Sequence, residues 1–237
     1  KKLVRELNAY DNFYFEIQNE PWAEGKDTVL VWNDYLGPDD LKQAWLQWKN
    51  TLEVSSEKSR AWHKTVASWI GETEKNLPKK HLVSHNIANF QLPVTVSDPT
   101  ISIYTFHYAS PQAVRLNYGL DRVIGFNETG FAGKNDDTYR RQAWRFMMSG
   151  GGLFGHLDYS FTTGFENGTN TENNAPGGGS PAFRTNLKVL KNYLESLQLA
   201  TLHPDESWIK HTEGAFSYPM RDALQYVVYV KLDADDA

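Results

Sequence analysis

With 237 residues, 40% of them hydrophobic, the chain is long enough for one large domain with a sizeable core. A formal net charge of −5 and the lack of any long basic run argue against a nucleic-acid partner. Cysteine is absent, which rules out a disulfide framework and thiolate chemistry, and no apolar stretch approaches the roughly 20 residues that span a bilayer. The aromatic share, 14%, is high. Tyr and Trp combine a flat apolar face with a polar tip, which suits the C–H faces of sugar rings.

In chain order, Lys1 to Leu7 reads as the end of an amphipathic helix already in progress, so the sequence is expected to begin partway through a domain. Residues 13–19 read as a strand. Residues 23–55 read as a long connection carrying Trp32, Trp45 and Trp48, with a short helix near 39–49. Over 56–77, Trp62, Val66, Trp69, Ile70, Thr73 and Leu77 recur at intervals of three and four. That periodicity predicts a helix capped by Ser55 or Ser56, with Trp62 and Trp69 on its core face. Strands are expected at His81–Asn86, Ile101–Phe106 and Val123–Phe126, with a helix over Pro111–Tyr118 between the last two. Asp136–Met148 is a predicted helix and Gly150–His156 a glycine-rich strand. The segment 160–181 is too rich in Asn and Gly to be expected to pack, Thr185–Leu197 is the last helix, and Ala223–Leu232 is a strand outside the series.

Strands alternating with helices predict an α/β fold with a parallel sheet and right-handed crossovers. A partial (β/α)8 TIM barrel fits this order together with the abrupt start. An open doubly wound sheet is the alternative, and no glycine-rich phosphate turn follows a strand to support it.

Two strings carry the chemistry. NFYFEIQNEPW, residues 12–22, and RVIGFNETGF, residues 122–131, are apolar runs that each stop at a glutamate, Glu20 and Glu128. Two carboxylates at the ends of strands of one sheet suggest paired acid/base and nucleophile work on a sugar. Strand ends at the C-terminal face of a barrel are where such groups are held. His156 and Asp158 end the last barrel strand, and a metal site built from them with His107 lacks HExxH or similar spacing, so no metal and no cofactor are expected. A serine hydrolase on an open sheet lacks its GxSxG elbow and ranks last.

Asn19-Glu20-Pro21 resembles the Asn-Glu-Pro that ends strand four in retaining (β/α)8-barrel glycoside hydrolases of the largest clan, including the cellulase family numbered five. The resemblance covers residues 1–200, as strands four to eight of such a barrel, with 201–237 similar to the start of a small C-terminal β-domain. It implies that Glu20 is the acid/base, that Glu128 is the nucleophile on strand seven, and that Asn19 contacts the sugar 2-hydroxyl. His107 and Tyr108 resemble a strand-six pair of which one orients the nucleophile. Trp22, Asn86, His156 and Tyr159 complete the expected substrate-binding set. Strands one to three are not in this sequence, and Phe154, His156 and Tyr159 stand where the clan has a strand-eight Trp. The implied activity is double-displacement hydrolysis of β-linked oligo- or polysaccharides by a secreted or periplasmic monomer, with no membrane partner. The competing reading is a sugar-binding barrel without turnover, or a fragment that cannot act alone.

Overall fold

The computed structural model describes residues 1–23, 29–32, 51–210 and 214–232. The helix expected near 39–49, with Trp45 and Trp48, lies outside them. The chain is mixed α/β and divides into two compact units, Lys1–Gly125 and Phe126–Ala237. Among the described residues no helix is long and apolar enough to cross a membrane.

In the first unit, helix α1 (Lys2–Leu7) leads to a short strand β1 (Phe15–Glu16). Strands β4 (Val83–Asn89) and β5 (Ile103–His107) come later in the chain, and both β1–β4 and β4–β5 are parallel pairs. All five residues of β5 are buried, as parallel strands covered on both faces must be. The β4–β5 register shifts between Asn86 and Ala88, so one residue bulges there. Strand β6 (Val123–Glu128) begins in this unit, where the Val123 amide donates to the carbonyl of Ser102.

The parallel grammar is not uniform. Within the expected connection 23–55, β2 (Val29–Trp32) and β3 (Thr51–Val54) form an antiparallel pair, and Val54 of β3 joins Ala88 of β4, also antiparallel. Leu52, Val54, Ala88 and Phe90 form a buried apolar cluster there. That cluster explains why a hairpin attaches at this point.

Helix α2 (Glu57–Glu74) is capped by Ser56, whose hydroxyl accepts from the Ser59 amide at 3.3 Å. Its buried stripe is His63, Ala67, Ile70 and Glu74. Trp62 and Trp69, expected in the core, are 52% and 42% exposed and meet edge to face at 5.9 Å. The stripe is turned because two polar residues find buried partners. His63 packs on His85 of β4 with ring centroids 4.1 Å apart. Glu74 accepts from the His81 ring at 2.6 Å and from its amide at 2.9 Å. Asn8 ties the end of α1 into the same cluster through Lys79, donating to its carbonyl at 2.9 Å and accepting its amide at 3.1 Å. Helix α3 (Pro111–Asn117), capped by Ser110, runs into a 3₁₀ turn at Tyr118–Leu120 before β6.

In the second unit, β6 ends at Glu128, two residues beyond the expected boundary, and the strand after it shrinks to β7 (Leu153–Phe154). The Gly155 amide donates to the Phe126 carbonyl at 2.8 Å. A Cβ at Gly155 would stand 2.6 Å from the Asn127 carbonyl oxygen, which only glycine avoids. Helix α4 (Asp136–Met147) is capped by Asn135 and opens with two aspartates that favour its N-terminal dipole. Helix α5 (Pro181–Glu195) starts at Pro181 behind the Ser180 cap. Strands β8 (His203–Pro204), β9 (Ala215–Arg221) and β10 (Tyr226–Leu232) make a three-stranded antiparallel sheet in the order β10–β9–β8. Ala143, Met148, Leu190, Leu194 and Tyr218 form the core between α4, α5 and this sheet. The other face of β10 leaves Tyr226, Val228, Val230 and Leu232 exposed.

The segment 160–181 does pack, contrary to expectation. Ser160, Gly168, Gly177 and Gly178 are buried within it. Asn173 donates to the Tyr159 carbonyl at 2.9 Å, and Gly177 bridges Gly133. Small residues and carboxamides replace the missing helix or strand as the means of satisfying the backbone.

Candidate active site

In the first unit the site grows from a period-two pattern. Alternate residues of a strand share a face, and on β4 and β5 those on one face are Ser84, Asn86, Thr105 and His107, all with 0% exposure. Glu16 of β1 joins them, accepting from the Ser84 hydroxyl at 3.2 Å. Asn86 donates to the Thr105 hydroxyl at 3.1 Å. The intervening His85 points the other way, onto α2.

Glu20 sits above this polar ladder. Its φ is +41°, in the left-handed region that costs a non-glycine residue about 1–2 kcal/mol. Two contacts hold it there. Its amide donates to Asn86 Oδ1 at 2.9 Å, and its Oε1 accepts from His107 Nδ1 at 2.9 Å. Its carbonyl also accepts from the Ala23 amide at 2.8 Å, which closes the turn. The result is a carboxylate fixed at its base and still 24% exposed.

The expected substrate contacts in this unit divide accordingly. Asn19 is exposed, beside Glu20. Asn86 and His107 are fully buried; Asn86 serves Glu20 and Thr105, and His107 meets Glu20 through Nδ1, so both position the carboxylate from beneath an enclosed face. Trp22 is 1% exposed and meets the His107 ring at 5.7 Å and 79°, so it is a buried wall and offers no face for stacking. Tyr108, also at positive φ, packs edge-on to His107 at 5.8 Å. His107 thus touches the acid/base candidate directly.

In the second unit Glu128 is the final residue of β6 and is half-buried. Thr129, 2% exposed, donates its hydroxyl to Gln142 of α4 at 2.7 Å, and its carbonyl accepts from the Leu157 amide. Both bonds fix the backbone next to the carboxylate. Tyr159 feels that carboxylate: burial first, and then the charge of Glu128, raise its phenol above the usual range. Tyr159 is therefore a neutral hydroxyl near Glu128.

His156, expected to bind substrate, is instead enclosed by aromatic rings, Tyr139 at 4.3 Å and Phe183 at 4.9 Å. Both ring nitrogens are buried without a hydrogen-bond partner among the described residues, and burial lowers its pKa to about 4. It is a neutral packing residue. Next to it lies Asp158, named from the sequence, in a cluster whose other members, Ser160 and Arg184, sequence reading overlooked. Asp158 accepts from the Ser160 amide at 3.0 Å and from Arg184 Nη1 at 2.7 Å, and these bonds outweigh burial to hold its carboxyl below the usual range. Arg184, on α5, lies 24 residues beyond Ser160, and no local pattern announces it.

Comparison with family models, curated proteins and solved structures finds no match.

Proposed function

We propose that this chain carries the catalytic carboxylates of a retaining β-glycoside hydrolase, built as strands four to eight of a (β/α)8 barrel similar to those of the largest glycosidase clan. The observation that carries the reading is Glu20. A non-glycine residue held in the left-handed region, with its amide on a buried asparagine and its carboxylate on a buried histidine, is strain placed at a partly open acid. Parallel strand pairs, a glutamate at the end of β6 and the Asn-Glu-Pro string agree with it.

In this reading Glu128 attacks the anomeric carbon while the bond to the leaving oxygen breaks, and Glu20 gives that oxygen its proton. A water then attacks the glycosyl–Glu128 ester, Glu20 takes the water's proton, and Glu128 departs as carboxylate. The mechanism requires carboxyl groups about 5–5.5 Å apart. The substrate is a β-linked oligo- or polysaccharide, and the protein acts as a secreted or periplasmic monomer.

The test is kinetic, with aryl β-glycosides and β-glucans, mannans and xylans as substrates. Glu20→Gln and Glu128→Gln should each lower turnover by about 10²–10⁴-fold. Azide should rescue Glu128→Gly with an α-glycosyl azide, and Glu20→Gly with a β-glycosyl azide. Near-wild-type turnover by either glutamine variant removes the assignment.

A further inference from the structure

Helices α4 and α5 and strand β10 border an open pocket of about 320 Å³, lined by Arg140, Trp144, Asn186, Val189 and Tyr229. The hydrolysis proposed for Glu20 and Glu128 uses none of these residues. Trp144 and Tyr229 stack at 5.6 Å and 22°, and Tyr193 braces Trp144 at 5.5 Å, so the pocket has a rigid aromatic wall. Beside it, Arg140 donates from Nε to Asp137 at 2.6 Å and pairs Nη2 with the same carboxylate at 2.5 Å. That pairing fixes the plane of the guanidinium and leaves Nη1 without a partner among the described residues. The Asn186 carboxamide, which makes no hydrogen bond among the described residues, lines the same pocket. Val189, 55% exposed, forms its rim.

An aromatic wall flanked by an oriented donor and by a group that both donates and accepts is the chemistry that holds a pyranose ring. The apolar C–H face lies against the Trp144–Tyr229 wall, and neighbouring hydroxyls meet the guanidinium and the carboxamide. The volume is at the lower end of the range for small-ligand sites, which suits one or two rings and not a large cofactor. Asp137 is shared by Arg140 and Arg141, so its two carboxylate oxygens are engaged and the free Arg140 nitrogen is the donor left to a ligand. We infer that this pocket is a second glycan-holding site, taking one or two pyranose units of a polysaccharide. The choice of ligand rests on the proposed hydrolase reading; the site itself does not depend on turnover.

The experiment is affinity electrophoresis of the full chain in gels containing soluble β-glucan, glucomannan or xylan, alongside saturation-transfer NMR with the matching hexasaccharides. At least one glycan should retard the protein. Asn186→Ala and Val189→Glu, both at exposed positions, should weaken that retardation at least fivefold, with thermal unfolding and aryl-glycoside turnover unchanged. Retardation unaltered in both variants, or absent for all three glycans, overturns the inference. Pocket variants that weaken binding in a protein whose Glu20→Gln and Glu128→Gln forms keep full turnover leave the site standing and remove the catalytic assignment alone.

Discussion

His107 is completely enclosed, and its Nδ1 lies 2.9 Å from Oε1 of Glu20, a side chain that keeps 24% of its surface open. The ring is held in place by β5 and by Trp22, so it acts as a fixed stop for a carboxylate that would otherwise rotate. Replacing it with alanine should displace Glu20 without unfolding β5. A displacement of about 1 Å near a reacting centre costs on the order of 10²-fold. His107→Ala should therefore lower kcat/KM by about that factor and shift the pH–rate profile, whereas His107→Gln, which can still donate, should recover part of the loss.

The backbone at Glu20 gives a prediction that separates strain from chemistry. Glu20→Ala and Glu20→Gly both remove the carboxylate, but only glycine takes φ +41° without a steric penalty. The glycine variant should be more stable than the alanine variant by about 1 kcal/mol, as read from urea midpoints, and both should lack hydrolysis.

Asn86 is expected to matter for stability as well as for rate. Asn86→Leu leaves the Glu20 amide without its buried acceptor and removes one of the hydrogen bonds to the Thr105 hydroxyl. The expected loss is about 1–3 kcal/mol in calorimetric or denaturant unfolding.

Burial, chiefly, lowers His63 to about 4 and His85 to about 3, with His63 and Arg60 lowering His85 further and Asp98 opposing them. Both are neutral in the fold and titrate near 6.5 when unfolded, so the unfolded chain binds more protons below that pH. Their contribution is complete above about pH 6.5 and is lost progressively as pH falls from there to the folded values near 4 and 3, on the order of 3 kcal/mol for His63 and about 5 kcal/mol for His85. His81 has the opposite sign. Burial lowers it, but Glu74 and the Tyr10 carbonyl prevail and raise it, so its contribution is present below 6.5 and fades as pH rises. Urea midpoints at pH 4.5, 5.5, 6.5 and 8 should fall toward acid, and a His63→Phe, His85→Leu double variant should flatten that limb.

Much of the fold was legible in the chain because strand ends, caps and helix starts are local. Asn-Glu-Pro after an apolar run marks Glu20, Ser56 and Ser180 cap the helices they precede, and β6 reads directly from Val-Ile-Gly-Phe. The features that were not legible depend on partners far along the chain. The stripe of α2 turned away from its tryptophans because His63 and Glu74 meet His85 and His81. Asn86 and His107 read as sugar contacts, yet a Glu20 amide 66 residues before Asn86 claims the carboxamide, and the Glu20 carboxylate claims the ring. The period-two run of polar residues, Ser84 and Asn86 with Thr105 and His107, was the one local sign that these side chains share one enclosed face.

The outer row of β10 bears on how the molecule behaves in a test tube. A ribbon that shows water Tyr226, Val228, Val230 and Leu232 along one side, and that has a neighbour on one edge only among the described residues, is a template for sticking to another such ribbon. Crowded samples of this chain will cloud before dilute ones do. A lysine in place of Val228, which points away from the Tyr229 side, is the simplest way to keep them clear.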